Sequence, residues 1–233
     1  MKYFLKSKLK IMIELMILLK SLILIIFYKN VPGINRYQPI YNSANEDQVT
    51  RPCYDRWNSI EKFIPKKKGS VLDIGSNIGY FTFKFSERGF LSHGVESDVL
   101  NIIVSNSIKE KNKIKNAIFS QDIVDEKFIE KMSYYFLINN LSVFHHWVKR
   151  FGKDKAIEML KNISKNCECM FFETGQNNEK KMSWSQSLEF MGDDSRIWVR
   201  KNLKEFGFKK VEGIGQFPTG ISNIKRYLFF AKK

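Results

Sequence analysis

From residue 70 onward the apolar residues gather into short runs: Ser70 to Ile74, Leu91 to Glu96, Ala117 to Ser120, Tyr134 to Asn139, Cys169 to Glu173, Phe208 to Gly213 and Tyr227 to Ala231. Between most of them lie stretches whose apolar positions recur at helical spacing. Short buried strands alternating with helices predict an α/β domain built of βαβ units, with a mostly parallel seven-stranded sheet covered by helices on both faces. The Phe208 run reaches the last one through a loop containing Pro218 and Gly220, with no helical pattern in between. Without a crossover helix, an antiparallel final strand is expected.

The first 30 residues, MKYFLKSKLKIMIELMILLKSLILIIFYKN, follow a different pattern. From Ile11 to Tyr28 only Glu14, Lys20 and Ser21 interrupt the apolar run, which at about 18 residues is at the short end of what spans a bilayer. Four lysines precede it (Lys2, Lys6, Lys8 and Lys10), and no small-residue cleavage site follows Tyr28, which argues against a secretory signal. At about 100° per residue Lys2, Lys6, Lys10, Glu14 and Lys20 keep to one side of a helix, so the segment can lie in the membrane interface with that side toward the head groups. The preferred reading of residues 1–30 is therefore a hydrophobic helix anchoring the protein to the cytoplasmic face of a membrane. A true span and a helix docked on the protein's own domain are the alternatives. Residues 31–50, with Pro32, Gly33, Pro39 and a polar cluster, read as a linker, and residues 51–233 as the folded domain. In RPCYDRWNSIEKFIP the apolar spacing predicts a helix stopped by Pro65.

Composition changes this picture little. The formal charge of +15 favours anionic partners, whether nucleic acid or a membrane surface. The positive residues are mostly Lys, scattered among Ile, Asn and Phe, and do not form the arginine clusters with interleaved aromatics that an RNA-binding face would show. The chain has three cysteines, Cys53, Cys167 and Cys169. Their number and spacing give no disulfide framework and point to a reducing compartment. Cys167 and Cys169 lack a second ligand pair at zinc spacing, and no metal site is expected.

The chemistry-bearing stretch is VLDIGSNIGYFTFKF, residues 71 to 85. A strand runs into a turn where Gly75 permits a sharp exit and Gly79 lets the following helix pack close. Asn77 stands where a third glycine often stands and tolerates left-handed dihedrals. Glu96 closes the next strand about 20 residues on, the place of a carboxylate that accepts ribose hydroxyls. Extended to VLDIGSNIGYFTFKFSERGFLSHGVESD, the segment resembles the first two motifs of the class I methyltransferases that use S-adenosylmethionine. The resemblance covers roughly residues 51 to 233. It implies a Rossmann-like domain with Asp73, Gly75, Ser76, Asn77, Gly79, Glu96, Asp122, Asn139 and Leu141 along the cofactor: Glu96 at the ribose, Asp122 at the adenine amino group. A dinucleotide oxidoreductase fits Asn77 and the late strand pair poorly. Asp122 as a plain helix cap remains an alternative.

Methyl transfer asks the protein chiefly to align a nucleophile and, where that nucleophile carries a proton, to supply a base. The expected places are the ends of the fourth and fifth strands. They offer His145, His146 and Glu173 as candidate catalytic groups, with His145 preferred because adjacent helical residues point about 100° apart and cannot both face the cofactor. Packing roles for both histidines, and a helix-capping role for Glu173, stay open. Arg51 or Arg56, in the predicted helix that also carries Tyr54, is a candidate partner for the cofactor's carboxylate. The stretch LSVFHHWVKRFGKDKAIEMLKNISKNCECMFFETGQ is loosely similar to a branch modifying RNA ends and tRNA wobble uridines, whereas DIGSNIGYFT resembles a branch acting on sugars and polyketides, without that branch's later acidic motif. The apolar N-terminus tilts the expectation toward a membrane-associated lipid, glycan or other small-molecule acceptor. An RNA methyltransferase and a catalytically silent cofactor-binding module are the competing readings.

Overall fold

The computed structural model describes residues 2–30, 37–43 and 51–233. Its centre is a seven-stranded sheet in the order β3-β2-β1-β4-β5-β7-β6. The strands are β1 (Ser70–Ile74), β2 (Leu91–Glu96), β3 (Ala117–Gln121), β4 (Tyr135–Leu141), β5 (Cys167–Glu173), β6 (Lys210–Phe217) and β7 (Arg226–Lys232). β1 through β5 pair in parallel, and β7 runs antiparallel to both β5 and β6. Each expected strand is present; the sequence pattern misplaces only their ends, by up to four residues.

The helices are α1 (Lys2–Asn30), α2 (Tyr54–Phe63), α3 (Tyr80–Glu87), α4 (Val99–Lys111), α5 (Glu126–Lys131), α6 (Phe144–Phe151), α7 (Lys153–Lys165) and α8 (Ser195–Glu205), with a 3-10 turn at Gln186–Met191. Alternation along the strands divides the core. Leu72, Ile138, Met170 and Phe172 face one side and bury against Phe144 of α6, Met159, Leu160 and Ile163 of α7, and Leu203 of α8. Val71, Leu137 and Phe171 face the other and meet Trp57 and Ile60 of α2 with Phe81 and Phe85 of α3. Successive strand residues point to opposite faces, so a sheet covered on both sides needs these nearly unbroken apolar runs. Asp98, Asp125 and Asp194 accept backbone amides at the starts of α4, α5 and α8, satisfying donors that a helix start leaves free.

α1 follows the docked alternative in one part and leaves the other part exposed. Its C-terminal part docks on the domain: Ile25 and Tyr28 bury with Val104 and Ile108 of α4 and Phe83 of α3, and Lys29 Nζ donates to Ser43 Oγ at 3.0 Å. Leu9 and almost every residue from Ile11 to Leu19 are exposed. Ile11–Asn30 is long and apolar enough to cross a membrane by composition. Most of the expected linker lies outside the described residues, but residues 37–43 are packed against the domain, with Gln38 and Ile40 buried.

Candidate active site

At the carboxyl end of β1 the chain leaves the sheet through Gly75 (φ +65°), Asn77 (φ +53°) and Gly79 (φ +86°). The amides of Gly75 and Ser76 both donate to Val95 O, at 2.9 and 3.0 Å, which locks the turn against β2. A Cβ on Gly75 would stand 2.8 Å from Val143 Cγ2, and one on Gly79 2.6 Å from the Phe119 ring. Both positions therefore require glycine by dihedral and by space. Asn77 takes the left-handed conformation expected of it, and its amide donates to Glu96 Oε2 at 2.9 Å. The other oxygen of Glu96 accepts the amides of Ser97 (2.7 Å) and Asp98 (2.9 Å). Three backbone donors thus fix the carboxylate at the end of β2.

This turn borders a cavity of about 320 Å³ whose walls include Asp73, Gly75, Asn77, Glu96, Asp122, Leu141 and His146. Its size falls in the range of small-molecule sites. Asp122 reaches the wall while Asp125 caps α5, so the capping alternative for Asp122 does not apply. The Asp73 carboxyl is buried, accepting from Thr82 Oγ1 at 2.6 Å and from Asn139 Nδ2 at 2.8 Å. Burial pushes its pKa up to about 6 against these two hydrogen bonds. Ser76, Gly79 and Asn139 stand behind the wall. Ser76 and Gly79 shape the turn, and Asn139 orients Asp73.

The histidines separate by role. His145 is 1% exposed, its ring 4.4 Å from that of Trp184 and 4.3 Å from that of His146. Its Nδ1 accepts the Gly175 amide at 2.9 Å, which occupies the lone pair a base would use. Burial, with Arg226 nearby, keeps its pKa well below the ordinary value, so the ring is neutral. His146 faces the cavity, and desolvation followed by Arg226 lowers its pKa as well. The preference for His145 over His146 thus finds no support in the geometry, because burial under Trp184 turns His145 away from the cavity.

Glu173 also stands apart from the cavity. It is fully buried and accepts from Arg51, from Arg56 Nε at 2.8 Å and from Ser142 Oγ at 2.8 Å. Burial alone would raise its pKa; Arg51 and Arg56 outweigh that and hold it below the ordinary carboxylate value. Arg226 extends the network, donating to Ser142 Oγ at 3.0 Å and to both oxygens of Glu179 at 2.8 Å. Neither the catalytic role expected of Glu173 nor the capping alternative matches these contacts, because its oxygens are taken by buried cations. Tyr54 is exposed, but Arg51 lines the cavity and donates to Tyr37 Oη at 2.8 Å. Two buried atoms beside the cavity, Arg51 Nε and Asn77 Oδ1, have no hydrogen-bond partner among the described residues. A polar ligand is the ordinary way to satisfy such groups.

Sequence reasoning missed Tyr37 and Gln38, which enter the wall from the supposed linker, and the partnership of Arg226 with Glu179. Buried arginines far apart in sequence leave no local signal. The only hint was the aromatic and amide pair inside an otherwise polar segment.

No protein-family model matches the chain. It is 26% identical over 202 residues to the O-antigen chain terminator bifunctional methyltransferase/kinase WbdD of Escherichia coli, an alignment covering 83% of this chain and 27% of that protein. The chain thus spans about a quarter of the length of the curated relatives it matches. The crystal structure of bifunctional kinase-methyltransferase WbdD superposes with a TM-score of 0.73 at 23% identity, covering 90% of this chain and 46% of that one. The N-terminal domain of EvdMO1 with SAH bound superposes with a TM-score of 0.60 at 12% identity, covering 89% and 94% of the two chains. Strand order, glycine turn and these superpositions agree that the chain has the fold of the class I S-adenosylmethionine-dependent methyltransferases.

Proposed function

We propose that the protein is an S-adenosylmethionine-dependent methyltransferase whose acceptor is a glycan or a glycan-bearing lipid. The observation that carries this reading is the cavity at the glycine turn, where Glu96 is held by three amides and Arg51 keeps an N–H without a partner among the described residues on the same wall. Those residues fit the cofactor: Glu96 would take the ribose hydroxyls, Asp122 the adenine amino group, Arg51 the carboxylate, and the backbone of residues 75–77 the space between. When bound, the cofactor supplies a methyl group on a positively charged sulfur that leaves as a neutral thioether. The chain's own contribution is alignment, exclusion of water and reception of the acceptor's proton. His146 suits the last task, since an imidazole with a lowered pKa is unprotonated at neutral pH. Gln38 accepts the Tyr80 amide at 3.2 Å, and this contact helps to hold residues 37–43 beside the cavity. The likeness to WbdD, named for O-antigen, and to EvdMO1, also crystallised in the presence of D-fucose, supports a carbohydrate-bearing acceptor.

The test is transfer of labelled methyl from S-adenosylmethionine into cell extract separated into RNA, lipid-glycan and small-molecule fractions, with Gly75→Val as control. Label in the lipid-glycan fraction is expected. Label in RNA alone would replace the acceptor assignment, and binding without transfer into any fraction would favour a silent module.

A further inference from the structure

The way α1 is docked orients the domain relative to a membrane. Lys29 of α1 is tied to Ser43, and Asn42, its neighbour, donates to Asn112 Oδ1 at the end of α4, at 3.0 Å. The two helices therefore end side by side. Ile25 and Tyr28 share one cluster with Val104 and Ile108, and helices that pack side by side with their C-terminal ends together run in the same direction. α4 begins directly after β2, at the carboxyl edge of the sheet, and the cavity opens at that edge between the ends of β1, β2 and β4. The undocked N-terminal half of α1 consequently projects past the edge that carries the cavity.

Between Lys10 and the docked part, that half is apolar over most of its circumference, with Glu14 as its one charge: Ile11, Met12, Ile13, Leu15, Met16 and Ile17 are each at least 44% exposed. A groove on a protein partner would cover one stripe of such a helix, whereas lipid covers an apolar surface this wide and leaves Glu14 and the flanking lysines toward the head groups. Other exposed apolar residues occupy the same edge, namely Val99, Leu100 and Ile103 in the first turns of α4 and Ile123 on the cavity rim. Exposed Lys149, Arg150, Lys180 and Lys181 lie in the segments that follow β4 and β5 there, and suit anionic head groups. At about 1.5 Å per residue the undocked apolar stretch, residues 11–17, is about 10 Å long. This is shorter than a hydrocarbon core of about 30 Å, and Lys2, Lys6, Lys8 and Lys10 bound it on the other side. While docked, α1 can embed in one leaflet but cannot cross.

We propose that an anionic bilayer docks on the carboxyl edge of the sheet, with the free half of α1 in the near leaflet and the cavity facing the head-group layer. Resting on the methyltransferase reading, this makes the acceptor a polar group carried on a lipid anchor and presented from the membrane surface. The geometry also selects a helix lying in one leaflet over the spanning alternative.

The experiment compares Val99→Cys at the carboxyl edge with Leu91→Cys at the opposite edge, each labelled in the full chain with an environment-sensitive fluorophore. All three native thiols are buried and remain unlabelled. Phosphatidylcholine vesicles containing phosphatidylglycerol, with and without nitroxide lipid, are added. Loss of emission at position 99 but not at 91 is expected. Quenching at 91, equal quenching at both, or self-association through α1 without vesicle binding would overturn the proposal. Calorimetry with S-adenosylmethionine on the same labelled proteins, without vesicles, verifies their fold and fails independently if the cofactor assignment is wrong.

Discussion

Asp73 is buried at 3% exposure, has no cationic side chain bonded to it among the described residues, and carries a pKa raised from 3.8 to about 6 by burial. A carboxyl whose folded pKa exceeds its unfolded one favours the folded state most when protonated. Its contribution is therefore complete below about pH 3.8, is lost progressively up to about pH 6, and stays lost above that. At about 1.4 kcal/mol for each step of one in pKa, the rise amounts to about 3 kcal/mol of stability missing at pH 7. Asp73→Asn removes the charge and keeps the shape. An asparagine can still accept from Thr82 and can donate to the Asn139 carbonyl, which is buried and unpartnered among the described residues, provided the Asn139 amide turns over. Urea unfolding of both proteins across pH 4 to 8 isolates the effect in their difference, because every other titrating group is shared. The variant should be more stable at pH 7 by up to about 3 kcal/mol, with the advantage shrinking toward pH 4. A difference independent of pH, or a variant less stable throughout, would refute the argument that this carboxylate is held at the turn against a desolvation cost. Retaining a destabilising charge beside a ligand pocket is the familiar trade of stability for function. Accordingly, the same variant should bind S-adenosylmethionine more weakly.

Four further outcomes follow from the geometry. Glu173→Gln strips buried Arg51 and Arg56 of their counterion and should cost about 3–5 kcal/mol in chemical denaturation. Because the pKa of Glu173 is lowered, its contribution is present above the ordinary carboxylate value and disappears as pH falls through the folded one. His146→Ala should lower kcat by about a hundredfold or more without weakening cofactor binding, and should remove an acid limb of the rate profile lying below the usual histidine value. His145→Ala, by contrast, should appear as lost thermal stability. Glu96→Ala should weaken S-adenosylmethionine binding by about 1.5–3 kcal/mol, as lost hydrogen bonds to a charged group predict; an unchanged dissociation constant in calorimetry would place the ribose elsewhere.

What the sequence determined alone is local in origin. Strand and helix identities follow from apolar period, and the turn from Gly75, Asn77 and Gly79, whose dihedrals are restricted by the residue itself. Glu96 was legible because a carboxylate at the next strand end is set by chain length through one βαβ unit. The antiparallel end of the sheet was legible because the loop between the last two strands has no helical pattern to make a crossover. The roles of His145 and His146 were not, since which of two adjacent rings is buried and which reaches the cavity depends on packing against Trp184, almost 40 positions away. Nor were those of Glu173, Arg51, Arg56, Arg226 and Glu179, whose pairings span 47 to 122 positions. A carboxylate reads the same in sequence whether it faces substrate or a buried guanidinium. Only the tertiary fold, which excludes water and brings distant charges into contact, decides between them. It likewise decides that α1 runs alongside α4 and projects past the cavity, a direction that the apolarity of the helix does not encode.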